Sequence, residues 1–168
     1  ALDAQPVLID PCREIFPVCG SAVRADPAAA WPMIPAPVRA HYQKRLCLLG
    51  PESVGKTRLA TDLAAHFHTR VMPEYGRDYD IHYKQRKYAQ GAAWRADDLV
   101  VLARTHAAMR EAMRAEAGTL LIEDTDAVQT AVWAAFLIGE APPALAAIAA
   151  STPANHYLLL SPDVAWSD

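Results

Sequence analysis

The sequence predicts an α/β fold in which a mostly parallel sheet is covered by helices on both faces. Three observations carry that expectation. From residue 44 onward, short apolar runs alternate with helical segments, the order that builds parallel sheets from strand–helix–strand units. The first run ends in a glycine-containing turn, GPESVGKT at 50–57. The third ends in a cluster of acids, LLIEDTD at 120–126.

Each element has its own local reason. RLCLLG (45–50) is a continuous apolar run closed by Gly, as expected for a strand buried on both faces. KTRLATDLAAHFH (56–68) sets Leu59, Leu63 and Phe67 at i, i+4 and i+8, an amphipathic helix. RVMP (70–73) reads as a brief second strand stopped by Pro73. Asp97 is positioned to N-cap a long helix through Ala117, with Gly118 as its stop. TLLIED (119–124) is the third strand. DAVQTAVWAAFLIG (126–139) is a helix capped by Asp126 and closed by Gly139, with Trp133 and Phe136 read as core. PPALAAIAAS (142–151) is a helix opened by Pro, and HYLLLS (156–161) is the fourth strand. The polar, aromatic stretch at 81–94 fits a substrate lid and an exposed helix equally well.

Composition narrows the setting. A chain of 168 residues suffices for one well-buried domain. A net charge of −3 argues against bulk attraction to nucleic acid or to a membrane surface. No apolar run reaches the ~18 residues that a membrane-spanning helix needs. Cys12, Cys19 and Cys47 form no C-x-x-C pair, which fits a reducing cytoplasm better than a disulfide framework. Cys47 belongs to strand core, while Cys12 and Cys19 are expected at half-buried positions. Residues 1–43 hold seven of the 13 prolines and little periodicity, so they form a separate, loosely packed region. The first residue is not Met and the chain stops directly after an apolar strand, which predicts a segment of something longer, truncated at the C-terminus. The oligomeric state is open.

The turn at 50–57 satisfies G-x-x-x-x-G-K-[ST] and sits between an apolar strand and a helix, the setting that a phosphate-binding P-loop requires. Gly50 and Gly55 let the backbone aim N–H groups of Glu52, Ser53 and Val54 at phosphate oxygens. The following helix presents its positive end to the same anion. Lys56 reaches the β- and γ-phosphates, and Thr57 offers a hydroxyl to Mg²⁺. The fold expected is therefore of the P-loop NTPase type, with ATP and Mg²⁺ as cofactors.

Such a site needs a carboxylate near the metal at the end of another strand. Asp124 ends the third run, with Glu123 and Asp126 beside it. The second strand leads into PEYGRDY (73–79), at the strand ends where ligands bind in parallel sheets. Glu74 is there a candidate to take a proton from an attacking hydroxyl, and Arg77 to hold phosphate or substrate charge. Residue chemistry leaves open whether Glu74 or Asp124 is the base.

Taken in order, GPESVGKT, PEYGRDY, LLIEDTD and LLLSPDVAW resemble the kinase domain of NadR-type NAD-biosynthesis proteins. That family carries GPES(T)GKS, then EYxRE, a DTD after the third strand and PDxPW after the fourth. The resemblance covers about residues 44–168 and implies phosphorylation of nicotinamide riboside to nicotinamide mononucleotide by ATP. It implies that Glu74 and Arg77 flank the riboside, that Asp124 and Asp126 serve metal or ribose hydroxyls, and that Asp163 and Trp166 line the nucleoside side. Asp78 stands at a family Glu, and Thr105-His106 at a family Gly-Gln pair. An Arg-bearing lid is implied beyond Asp168. Residues 18–45 are similar to the end of the adenylyltransferase domain that precedes this kinase. There Ser21 and Arg24 fall at the hydroxyl and Arg positions of an ISGTxIR triphosphate-binding motif, with Val18 for its Ile and Cys19 for its first Ser. A P-loop kinase for another small metabolite, or a module that senses ATP or NAD without turnover, shares most of these residues.

Overall fold

Proline spacing and the apolar runs translate directly into the architecture of the computed structural model, which describes residues 5, 7–88 and 90–163. The chain divides into two compact units, 1–42 and 43–168. In the first, two short helices form, α1 (Gly20–Ala25) and α2 (Ala36–Tyr42), with a single 3₁₀ turn at Trp31–Met33 between them. Prolines at 27, 32, 35 and 37 keep the segments short, because each removes a backbone donor. Among its described residues only Ile34 is a buried apolar side chain. Arg39 ties the turn together, donating to the Ile34 carbonyl at 2.9 Å and covering the Trp31 ring. Cys12 lies in a turn and is exposed rather than half-buried, since among the described residues no helix or strand forms next to it.

The second unit holds four parallel strands, β1 (Lys44–Leu49), β2 (Arg70–Met72), β3 (Leu120–Asp124) and β4 (His156–Leu159), in the order β2-β3-β1-β4. The register sets Leu48 opposite Asp124 and Met72 opposite Glu123. The helices are α3 (Lys56–His66), the short α4 (Gly76–Tyr79) and α5 (Gln85–Lys87), the long α6 (Ala96–Arg114), α7 (Ala127–Ile138) and α8 (Pro143–Ser151). Alternate residues of a strand point to opposite faces, and both faces are used. Leu46, Leu48, Leu120 and Ile122 pack on Leu59, Ala60, Leu63 and Ala64 of α3. Leu121 and Met72 pack on Met109 and Met113 of α6 and on Ala117. The sheet is thus parallel and helix-covered, as expected. β4 is the exception: its residues are exposed.

Two charged residues lie inside the apolar strands. Arg45 and Glu123, on neighbouring β1 and β3, form a buried ion pair, and Arg45 also donates to the carbonyls of Thr152 and Pro153. Burying either charge alone would be costly, and the pair with its extra hydrogen bonds avoids that. Glu123 is therefore not available to a ligand.

Several expectations fail for local reasons. α6 begins at Ala96 with Arg95 as its N-cap, so Asp97 lies inside the first turn, where its charge still suits the helix dipole. The helix ends at Arg114 rather than Ala117, and residues 115–117 turn instead. α3 ends at His66, and His68 takes φ +50°. Phe67 thus leaves the amphipathic face and is 51% exposed. Phe136 is 79% exposed: α7 is apolar nearly all round, so periodicity could not say which face is inward. Residues 81–88 do not form a plain exposed helix. A π-helical turn, Asp80–Lys84, buries Lys84 against the Trp94 ring at 4.4 Å, while Lys84 pairs with Asp80 at 2.7 Å. Among the described residues no helix is long and apolar enough to cross a membrane.

Candidate active site

The strand ends of β1, β2 and β3 open onto a cavity of about 810 Å³, within the range of small-molecule sites. Its floor is the loop between β1 and α3. Gly50 has φ +145°, and a Cβ there would lie 2.8 Å from the Leu160 carbonyl oxygen, so only glycine fits. Gly55 has φ +85° and is the N-cap of α3. Glu52, Ser53, Gly55, Lys56 and Thr57 line the cavity, and Val54 turns inward, 8% exposed. The Lys56 ammonium is held by the Gly50 carbonyl at 3.0 Å and by that of Pro51. Gln129 of α7, which no motif flagged, accepts the Gly50 N–H at 3.1 Å and fixes the start of the loop.

The sequence-predicted carboxylates divide into three kinds. Asp124, 1% exposed, accepts the Thr57 hydroxyl through Oδ2 at 2.6 Å, and its Oδ1 is buried without a partner. A hydroxyl and an unsatisfied carboxylate oxygen are hard donors that suit Mg²⁺, which takes few protein ligands beside phosphates and water. No group of three or more His, Cys, Asp or Glu capable of holding a metal occurs among the described residues. Asp126 is already engaged: Oδ1 accepts the amides of Val128 and Gln129, and Oδ2 accepts the Tyr157 hydroxyl at 2.9 Å. It lines the cavity as a helix cap. Glu74 is half-buried and lines the cavity. Its pKa is raised, first by burial and then by the Asp124 carboxylate, against the opposing charges of Lys56 and Arg77. A carboxyl whose pKa is raised holds a proton more readily than an ordinary carboxylate, a property that suits a general base.

Arg77 is exposed and lines the same cavity. Asp163 is exposed and is not among the lining residues. Trp166 lies outside the described residues. Ser21 and Arg24 lie in the first unit, on α1. There Cys19 caps the helix, accepts the Ala22 amide, and pairs with the Ser21 hydroxyl at 3.0 Å. That hydroxyl, with the Ala22 amide, lowers the thiol pKa to about 7. Sequence reading missed most of the remaining wall. Tyr75, Trp94, His106 and Trp133 all line it, drawn from four separated stretches. Their only sequence signal was the departure at His106.

Strand order, loop geometry and the Thr57–Asp124 contact together define a P-loop-type α/β domain. A family model described as an AAA domain matches residues 45–168, and the chain belongs to that family. The trifunctional NAD biosynthesis/regulator protein NadR of Escherichia coli (strain K12) is 38% identical over 78 residues, spanning 46% of this chain and 19% of the relative. The protein of the same name from Salmonella typhimurium matches to the same extent. The crystal structure of a NadR protein in complex with NR superposes with a TM-score of 0.72 at 22% identity, over 88% of this chain and 42% of that one. A second, with NAD and AMP-PNP, gives 0.72 at 21%. The chain thus spans less than half the length of each of these relatives.

Proposed function

We propose that residues 43–168 catalyse transfer of the γ-phosphoryl group of ATP to the 5′-hydroxyl of nicotinamide riboside, giving nicotinamide mononucleotide and ADP. The observation that carries this reading is one cavity lined by P-loop residues, by Thr57, whose hydroxyl donates to the buried Asp124, by Glu74 and by an aromatic wall. The likeness to NadR proteins, one of them in complex with NR and one with AMP-PNP, supports the choice of acceptor and donor.

The residues divide the work as follows. The loop amides and Lys56 hold the β- and γ-phosphates and offset charge as it shifts toward the leaving oxygen. Thr57 and Asp124 would hold Mg²⁺, which neutralises phosphate charge when bound. Glu74 receives the proton of the acceptor hydroxyl as its oxygen bonds to phosphorus, the bond from phosphorus to the β–γ bridging oxygen breaks, and ADP departs. Glu74 rather than Asp124 is assigned as the base, because Glu74 lines the cavity whereas Asp124, 1% exposed, is not among its lining residues. Arg77, exposed on the same wall, lies where it can meet phosphate charge. Trp133 lines the cavity and is the aromatic side chain proposed to meet a cationic pyridinium, a role the resemblance gives to Trp166 and Asp163.

Residues 1–43 we read as the closing segment of an adenylyltransferase domain, with Ser21 and Arg24 at its triphosphate positions. The N-capped α1 that carries both residues supports this. Three free cysteines support a cytoplasmic setting. The test is ADP formation by the purified protein with ATP and Mg²⁺. Nicotinamide riboside should stimulate it, while uridine and thymidine should not. Stimulation by either of those instead removes the substrate assignment, and tight nucleotide binding without ADP formation favours a sensor.

A further inference from the structure

β1 ends at Leu49, yet the next amide, that of Gly50, is buried and needs an acceptor. β3 pairs with β1 only as far as Asp124, and Thr125, at φ +69°, then turns the chain into α7. A side chain of that helix takes over from the strand: Gln129 Oε1 accepts the Gly50 N–H at 3.1 Å. Chemistry fixes the orientation of the carboxamide, because only its oxygen can meet an N–H. Gln129 is 9% exposed, lines the cavity, and is the one residue of α7 with a long polar side chain.

The carbonyl of the same glycine is also engaged. Together with the Pro51 carbonyl it holds the buried Lys56 ammonium, at 3.0 Å from the Gly50 oxygen. An ammonium has three N–H donors, so two face these carbonyls and one is left for a phosphate. The direction of that third donor is set by where the two carbonyls stand. Gly50 has no side chain to anchor it, and its backbone is packed against Leu160 and Val54. Its hydrogen-bonded anchors are therefore Gln129 on one side and Lys56 on the other. Resting on the kinase reading above, we propose that Gln129 is a positioning residue for phosphoryl transfer: by holding the Gly50 amide, it fixes the carbonyl that aims the free Lys56 N–H at the γ-phosphate. Thr130 and Trp133 of the same helix line the cavity further along, so one helix both forms part of the acceptor wall and aligns the donor's lysine.

Gln129→Met keeps the side-chain length and removes the carboxamide oxygen. With far-UV circular dichroism unchanged, it should lower kcat about tenfold and leave the KM for nicotinamide riboside unaltered. Placed in a Lys56→Ala background and followed with γ-labelled ATP, it should cause no further loss, because its effect passes through the ammonium. An unchanged kcat in Gln129→Met, or losses that multiply in the double variant, overturn the proposal and leave the kinase reading intact. Should Gln129→Met not fold, Gln129→Asn, one methylene too short to reach Gly50, carries the same comparison. If the unchanged protein transfers no phosphoryl group to the riboside, the kinase reading fails, and calorimetric titration with AMP-PNP and with ADP tests the aim of Lys56 by itself. The ratio of the two affinities should then fall toward ADP in Gln129→Met, and an identical ratio in both proteins overturns the positioning role.

Discussion

Glu52, Ser53, Gly55, Lys56 and Thr57 all come from one loop, whereas Tyr75, Trp94, His106 and Trp133 reach the same cavity from four separated stretches. The loop wall works by backbone geometry: left-handed glycines and a helix N-terminus aim groups at any polyphosphate. The second wall works by side-chain identity, with residues that packing brings together from separated stretches. On the proposed kinase reading, the first wall binds a donor common to many enzymes, while the second distinguishes one acceptor from another. Substitutions on the two walls should therefore fail in different ways.

The largest effect belongs to the loop. Lys56→Ala should lower kcat by at least about 100-fold, with unchanged far-UV circular dichroism and equal loss for every acceptor. Retained turnover would move the chemistry away from the loop. Glu74→Gln comes next, with a fall in kcat of about 10²–10⁴. The rate of the unchanged protein should decline as pH falls through the raised Glu74 pKa, on a limb lying above the usual carboxylate value of about 4.3. The same shift predicts the stability change. A carboxyl whose folded pKa is raised favours folding below its unfolded value and loses that contribution as pH rises through the folded one. Glu74→Gln should thus gain stability relative to the unchanged protein as pH rises above the usual carboxylate value of about 4.3, measured by urea unfolding.

His106 titrates in the opposite sense. Its pKa is pushed down to about 4, against about 6.5 for an unfolded chain. The stability it contributes is complete above about pH 6.5 and declines as pH falls toward about 4. His106→Asn should flatten the urea-midpoint profile across that interval, and an unaltered slope would place the ring in water. The smallest effect is at the cap. Tyr157→Phe removes the hydroxyl that donates to Asp126 and accepts the Ala154 amide. It should cost about 1 kcal/mol, visible in Tm and absent from kcat.

The same contrast explains what could be read from the sequence. The strands, α3, α7 with its Asp126 cap and Gly139 stop, and the P-loop were legible because each signal lies within one contiguous stretch. The carboxylate partner of Thr57 was legible because it ends an apolar run. Glu123 was not separable from Asp124 until the register set β1 beside β3, where Arg45 takes it. His106 falls on the buried face of α6 with Leu99, Leu102, Ala103 and Arg110, at helical spacing, so periodicity merges it with ordinary core. Tyr75, Trp94 and Trp133 are likewise aromatic residues on amphipathic or turn segments, and nothing short of the fold brings them to one wall.

The most direct measurement follows the label from [γ-³²P]ATP. With nicotinamide riboside present, the account predicts that the radioactivity appears in nicotinamide mononucleotide, one labelled product for each ADP formed. Label released only as inorganic phosphate, at a rate indifferent to the riboside, would contradict it.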